Sequence, residues 1–166
     1  MKTALVVIDV QSYFLKRAPG DLASRIADHI QKSKYDAVVF TVFQNKAGSN
    51  WERTLKWSKC KLGEDLELAV ELKEFTSDSN VFIKHAYSAF KGGNFEEYLQ
   101  SHGVKRLDLC GVDLEGCVLA TAYEAFDKGY EVKVLFELSY SRAGLSNAAK
   151  SIILRDIQTK NDPRPH

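Results

Sequence analysis

Residues 4–9 have the sequence ALVVID, in which five apolar residues are followed directly by a carboxylate. A short, almost wholly apolar run of this kind is typical of a parallel β-strand that helices cover on both faces. In open parallel sheets, ligands bind beyond the carboxyl ends of the strands. Asp9 is therefore expected at the edge of the sheet where chemistry takes place.

Similar runs recur along the chain, and four more strands are predicted at residues 37–43 (AVVFTVF), 81–84 (VFIK), 107–112 (LDLCGV) and 131–136 (EVKVLF). Apolar residues at helical spacing predict helices between them, at residues 21–32, 95–101, 115–128 and about 145–157. This alternation predicts an α/β protein, a three-layer αβα sandwich with a mainly parallel sheet and Rossmann-like topology. The less regular segment 44–80 is expected to hold a helix near residues 64–72 and a loop over a pocket.

The chain of 166 residues is long enough for one domain, which we place at residues 1–157, followed by a polar tail at 158–166. Its 23 basic and 22 acidic residues are interspersed, so nucleic acid and a membrane surface are not expected partners. Three cysteines without CxxC spacing and without a preceding signal peptide favour a reducing compartment. We therefore expect a cytoplasmic protein.

Three polar residues lie where the predicted strands end: Asp9, Lys84 and Cys117. Cys117 is expected at the start of a helix, where the helix dipole stabilises an anion, and a nearby lysine would also favour the thiolate. Each residue also has a simpler interpretation: Asp9 as a turn cap or ion-pair partner, Lys84 as a solvated strand end, and Cys117 as a small buried residue.

Other catalytic patterns are missing from the sequence. The four histidines have no metal-ligand spacing, and no HExxH, GxSxG or GxGxxG motif occurs. We therefore predict neither a metal nor another cofactor.

Three separated blocks resemble the isochorismatase-like hydrolase family, which includes nicotinamidases and related cysteine amidohydrolases. They are residues 7–11 with Phe14, residues 84–90, and residues 111–118 with their continuation to Tyr130. The resemblance implies a strand order 3-2-1-4-5-6 and a catalytic triad of Cys117, Asp9 and Lys84. In this triad the aspartate accepts the thiol proton, the lysine supports the charged pair, and the thiolate forms an acyl-enzyme. It also implies a cis peptide after Val112, with Val112, Asp113 and Cys117 forming the oxyanion loop.

The sequence departs from the family pattern at two informative places. Leu114 stands where the family often has threonine, which removes one polar contact of the oxyanion loop. Nicotinamidases have an Asp-x-His metal motif after the second strand, but residues 43–46 read FQNK here. We therefore expect no catalytic metal and disfavour nicotinamide as the substrate.

Together the residues and the resemblance predict a metal-independent cysteine hydrolase that acts on a small amide, ureido or related acyl compound through a Cys117 thioester. The residues expected to line its substrate pocket are Gln11, Phe14, Phe43, Trp51, Tyr87 and Phe90. Two alternatives stay open: an isochorismatase-type vinyl-ether hydrolase, and an inactive binding or assembly protein on the same fold. The resemblance also implies a homo-oligomer, either a dimer or a tetramer.

Overall fold

The computed structural model describes residues 1–158, which contain a five-stranded sheet. Its strands are β1 (Lys2–Ile8), β2 (Ala37–Phe43), β3 (Val81–Lys84), β4 (Val104–Val112) and β5 (Glu131–Tyr140). All four neighbouring pairs are parallel, in the order β3-β2-β1-β4-β5. The family order included a sixth strand, but within residues 1–158 the chain after β5 turns into a helix instead.

Helices cover both faces of the sheet, which confirms the predicted αβα sandwich. They are α1 (Ser12–Leu15), α2 (Leu22–Lys32), α3 (Asn50–Arg53), α4 (Phe95–Ser101), α5 (Leu119–Asp127) and α6 (Ser146–Asp156). The central strand β1 alternates between two cores: Ala4, Val6 and Ile8 pack with α4, α5 and α6, whereas Leu5 and Val7 pack with α1 and α2. This burial on both faces explains why the ALVVID run is apolar throughout.

Some local predictions need correction. The helix predicted at residues 21–32 begins at Leu22, and the Asp21 side chain before it makes no capping hydrogen bond but pairs with Arg25 at 3.2 Å. The single helix predicted at residues 64–72 is two short 3₁₀ turns, Gly63–Leu66 and Val70–Phe75. Gln158, assigned to the tail, is buried and accepts a hydrogen bond from the Val134 N–H at 2.6 Å. The rest of that predicted tail, residues 159–166, lies outside the described residues.

None of the helices within residues 1–158 is long and apolar enough to cross a membrane.

Gly111, near the end of β4, lies very close to the backbone of β1. Its φ is +118°, and a Cβ at this position would lie 2.1 Å from the carbonyl oxygen of Ile8. We expect Gly111→Ala to lower the free energy of unfolding by about 2–3 kcal/mol, because the backbone of β1 or β4 must shift. Urea unfolding at neutral pH measures this loss.

Gly20→Ala is the matched control for Gly111→Ala, because a Cβ at Gly20 would meet no atom within 4 Å. Its effect should stay within about 0.5 kcal/mol. Equal unfolding midpoints for the two variants would contradict the close approach of β1 and β4.

The carboxyl ends of β1, β3 and β4 meet at one edge of the sheet, because neighbouring strands are parallel. Asp9 directly follows β1, Lys84 ends β3, and the turn that carries Cys117 follows β4. Part of segment 44–80 returns to this edge, where Leu68 forms an isolated bridge with Gln11. The fold thus brings the three predicted catalytic residues to one place.

Candidate active site

Asp9, Lys84 and Cys117 are in contact at the carboxyl edge of the sheet. The Nζ of Lys84 lies 2.7 Å from Oδ2 of Asp9 and 3.4 Å from Sγ of Cys117. Asp9 and Lys84 are fully buried, whereas Cys117 is partly exposed. Two buried opposite charges therefore lie beside a thiol that ligands can reach.

The Asp9 carboxylate is held in place by Thr41 of β2. The Thr41 hydroxyl donates to Oδ1 of Asp9 at 2.7 Å, and the Asp9 N–H donates to the Thr41 carbonyl at 3.1 Å. The other oxygen, Oδ2, is in ion-pair contact with Lys84 but accepts no aligned hydrogen bond from residues 1–158. Apart from this ion pair, Oδ2 therefore has acceptor capacity left.

Lys84 is fixed as a cation between two partners. Its Nζ donates to the Ala86 carbonyl at 2.9 Å as well as to Cys117. Burial lowers the pKa of Lys84, but the negative charge of Asp9 and the contact with the Cys117 sulfur act in the opposite direction, and the net pKa is raised. Lys84 is therefore a permanent positive charge at neutral pH.

Cys117 lies on a π-helical turn, Leu114–Val118, which joins β4 to α5. The peptide bond between Val112 and Asp113 is cis, as the resemblance implied. The Thr121 hydroxyl donates to the Cys117 carbonyl at 2.7 Å and accepts from the Ala89 N–H at 3.0 Å. The nucleophile turn, residues 113–118, is thus tied to α5 and to the segment after β3.

The sequence favoured a thiolate at Cys117, but its surroundings in the structure favour the protonated thiol. Burial and the negative charge of Asp9 raise the pKa of the Cys117 thiol, and the opposing effect of Lys84 is too small to cancel them. At neutral pH the resting thiol is therefore protonated. After burial, the Asp9 carboxylate has the largest effect on the pKa of this thiol.

A cavity of about 260 Å³ opens above Cys117. Its walls are mostly aromatic, and the lining residues are Phe14, Phe43, Trp51, Leu55, Trp57, Tyr87, Asp113, Cys117 and Arg142. Four of the six predicted pocket residues are among them: Phe14, Phe43, Trp51 and Tyr87. The rings contact one another, with centroids 4.8 Å apart for Phe43 and Trp51 and 5.2 Å apart for Trp51 and Tyr87.

The other two predicted pocket residues, Gln11 and Phe90, do not line this cavity. The Gln11 amide is occupied, because it donates to the Phe43 and Asp65 carbonyls and accepts from the Phe43 N–H. Phe90 packs in the core on the opposite side of the sheet, against Phe95. Gln11 therefore supports the pocket wall, and Phe90 supports the core.

Several site residues were not predicted. Leu55 and Trp57 come from the irregular segment 44–80, and Trp57 Nε1 donates to the Tyr13 hydroxyl at 3.0 Å. Arg142 follows β5 and forms an ion pair with Asp113 on the cavity wall. The fifth strand was predicted to end at residue 136, and only its continuation to Tyr140 brings Arg142 close to the strand end.

Other residues singled out in the sequence have structural partners. His85 Nδ1 lies 2.7 Å from the Gln44 carbonyl, and His85 does not line the cavity. Leu114 is buried in the core against α5 and α6. In the part of the chain that the structure describes, no three His, Cys, Asp or Glu side chains cluster as metal ligands would.

An α/β sandwich with a cysteine, an aspartate and a lysine at the strand ends is the arrangement that the resemblance implied. The isochorismatase domain model matches residues 3–149, and the chain belongs to this family. A nicotinamidase of Arabidopsis thaliana is 30% identical over 135 residues, which cover 78% of this chain and 68% of that protein. A ureidoacrylate amidohydrolase of Azorhizobium caulinodans is 27% identical, with 92% of this chain and 82% of that protein covered.

Among solved structures, an isochorismatase-like hydrolase from Alkaliphilus metalliredigens superposes with a TM-score of 0.83 at 20% identity. The match covers 95% of this chain and 93% of that chain. The likeness confirms the fold over nearly the whole domain.

Proposed function

We propose that this protein is a metal-independent cysteine hydrolase of small amide, ureido or related acyl compounds, and that it works through a Cys117 thioester. The observation that carries the proposal is the contact of Lys84 with both Asp9 and Cys117 below an open cavity. Amidohydrolases among the relatives support the same reaction class.

In the proposed acylation step, one proton moves from Cys117 to Asp9 and then from Asp9 to the leaving amine. As Sγ of Cys117 attacks the substrate carbonyl, its proton moves to Oδ2 of Asp9, and a C–S bond forms. Backbone N–H groups of the nucleophile turn and the charge of Lys84 stabilise the oxyanion of the tetrahedral intermediate. When the C–N bond breaks, Asp9 returns the proton to the leaving amine, and a thioester remains.

Deacylation uses the Asp9 carboxylate in the same way, first as a proton acceptor and then as a proton donor. Asp9 accepts a proton from water as the water oxygen forms a C–O bond with the thioester carbonyl. The C–S bond then breaks, and Asp9 returns the proton to Sγ of Cys117, which regenerates the thiol and releases the acid. The resting thiol keeps its proton because Asp9 and burial disfavour the thiolate. Proton transfer and attack are therefore coupled in this mechanism.

The cavity favours a compact and largely apolar acyl group. Its volume of about 260 Å³ is just below the usual range for ligand pockets, and five of its lining residues are aromatic. Asp113 and Arg142 neutralise one another on its wall, as do the buried Asp9 and Lys84 beside Cys117. A substrate without a net charge fits this balance best.

We expect iodoacetamide to alkylate Cys117 much faster than Cys60 or Cys110 near pH 7.5. Both other thiols are fully buried, whereas Cys117 is partly exposed and lines the cavity, so the reagent reaches it more easily. Peptide mapping by mass spectrometry after timed labelling measures the three rates. Equal or slower labelling at Cys117 would remove the nucleophile from the proposal.

The same protein should then be incubated with a panel of small amides and ureido compounds, with and without a chelator. The expected result is turnover that survives chelation and an acyl adduct on Cys117 that Cys117→Ser cannot form. Hydrolysis of vinyl ethers that persists in Cys117→Ser would favour the isochorismatase-type reaction. Binding without turnover of any compound would favour the inactive binding protein.

A further inference from the structure

Asp113 and Arg142 form a bidentate ion pair on the wall of the cavity that contains Cys117. Nε of Arg142 donates to Oδ1 of Asp113 at 2.7 Å, and Nη2 donates to Oδ2 at 2.5 Å. Both side chains are only about one-fifth exposed, at 21% each. Bidentate pairs of this kind combine strong hydrogen bonds with a fixed orientation, unlike ordinary surface ion pairs.

Asp113 also anchors the nucleophile turn through its backbone. Its carbonyl accepts hydrogen bonds from the Gly116 N–H at 3.0 Å and the Val118 N–H at 3.2 Å, the residues on either side of Cys117. The position of Asp113 therefore affects the position of the segment that carries the Cys117 sulfur.

Arg142 is itself held from other directions. Its guanidinium carbon lies 4.5 Å from the ring centroid of Phe14, which is within cation–π range. The adjacent Ser141 is buried, and its hydroxyl accepts from the Leu145 N–H at 2.8 Å, which fixes the turn after β5. The Arg142 side chain thus reaches Asp113 from a rigid support.

We propose that Arg142 is a positioning residue that holds the Asp113 carboxylate against the nucleophile turn and cancels its charge beside Cys117. This role rests on the proposed function, because it concerns Cys117 as a nucleophile. Without Arg142, a partly buried carboxylate on the same cavity wall would disfavour negative charge on the sulfur.

The charged groups around Cys117 come from every neighbouring element. They are Asp9 after β1, Lys84 at the end of β3, Asp113 and Glu115 on the nucleophile turn, and Arg142 after β5. Asp9 and Lys84 already form one compensated pair, and Glu115 lines the adjoining cavity with Tyr87 and Tyr123. Removal of Arg142 therefore uncovers one specific negative charge, that of Asp113.

The test is the pH dependence of Cys117 alkylation by iodoacetamide in the full chain, followed by peptide mass spectrometry. We expect Arg142→Met to slow alkylation at pH 7.5 at least about fivefold and to raise its midpoint by about one pH unit. The double variant Asp113→Asn with Arg142→Met should return the midpoint to the wild-type value, since the uncompensated charge is gone. Arg142→Lys, which keeps the charge, should show the wild-type midpoint.

A wild-type midpoint in Arg142→Met, or a double variant that stays shifted, overturns this role for Arg142. Near-UV circular dichroism checks that each variant is folded, and if Arg142→Met is not, Arg142→Gln, which also removes the charge, replaces it in the same comparison. An unreactive Cys117 in the wild-type protein would instead contradict the proposed function. The two failures are therefore distinguishable.

Discussion

Asp9→Asn is expected to reduce the rate of amide hydrolysis by about 10²- to 10⁴-fold, the usual loss when a general base is removed. Oδ2 of Asp9 is the acceptor for the Cys117 proton in the proposed mechanism, and an amide at this position cannot take that proton. Steady-state kinetics with a substrate from the amide panel gives the loss in kcat, and KM should change little.

Asp9→Asn should reduce turnover but should also make the Cys117 thiol easier to ionise. The charge of Asp9 raises the pKa of the thiol, so Asp9→Asn should lower the pH midpoint of Cys117 alkylation. The matched control is Asp28→Asn, since the Asp28 side chain is 65% exposed and pairs with Lys32 on the surface. Full turnover in Asp9→Asn would show that another group accepts the proton.

Lys84→Met is expected to lower the free energy of unfolding by about 3–5 kcal/mol, because it leaves the Asp9 carboxylate buried without its cation. Both side chains are fully buried in the wild-type protein, and their charged atoms are 2.7 Å apart. The variant should also raise the midpoint of Cys117 alkylation, since Lys84 lowers the pKa of that thiol. Urea unfolding and the alkylation profile measure the two effects separately.

Two further variants give Lys84→Met its controls. Lys91→Met removes a lysine that is 61% exposed and pairs with Glu124, so its stability should change by less than about 1 kcal/mol. The double variant Asp9→Asn with Lys84→Met removes both buried charges and should regain much of the stability without regaining activity. If Lys84→Met unfolds at the same urea concentration as Lys91→Met, the buried pair contributes no stability.

The strands and the position of Asp9 could be predicted because they depend on local pattern. A parallel strand buried on both faces must be apolar throughout, so a charged residue directly after such a run marks its end. The same reasoning located Lys84 at the end of β3 and Cys117 after β4. The cis peptide after Val112, in contrast, followed from the family resemblance and not from any local pattern.

Contacts between strands and turns could not be predicted in this way. Thr41 reaches Asp9 only because Ile8 and Thr41 are register partners, and the sequence of β2 does not fix its register against β1. Arg142 reaches Asp113 through a turn whose geometry no residue pattern specified. Gln11 was expected in the pocket, but its amide is used by the backbone of Phe43, a residue of the pocket wall.

The protonation state of Cys117 also depends on three-dimensional surroundings. A nearby lysine and a helix start both favour a thiolate, and these were visible in the sequence. The burial of the sulfur and the distance to Asp9 were not visible, and they have the larger combined effect on its pKa.

Three of the cavity-lining residues and the Asp9–Lys84 pair beside Cys117 have different origins in the chain. Trp51, Leu55 and Trp57 belong to the irregular segment after β2, whereas Asp9 and Lys84 belong to the ends of sheet strands. Mutations in that segment can therefore change the shape of the cavity, while the hydrogen bonds of the sheet keep Asp9 and Lys84 in place. Such a division lets natural selection diversify the compounds that are accepted while one reaction is inherited unchanged.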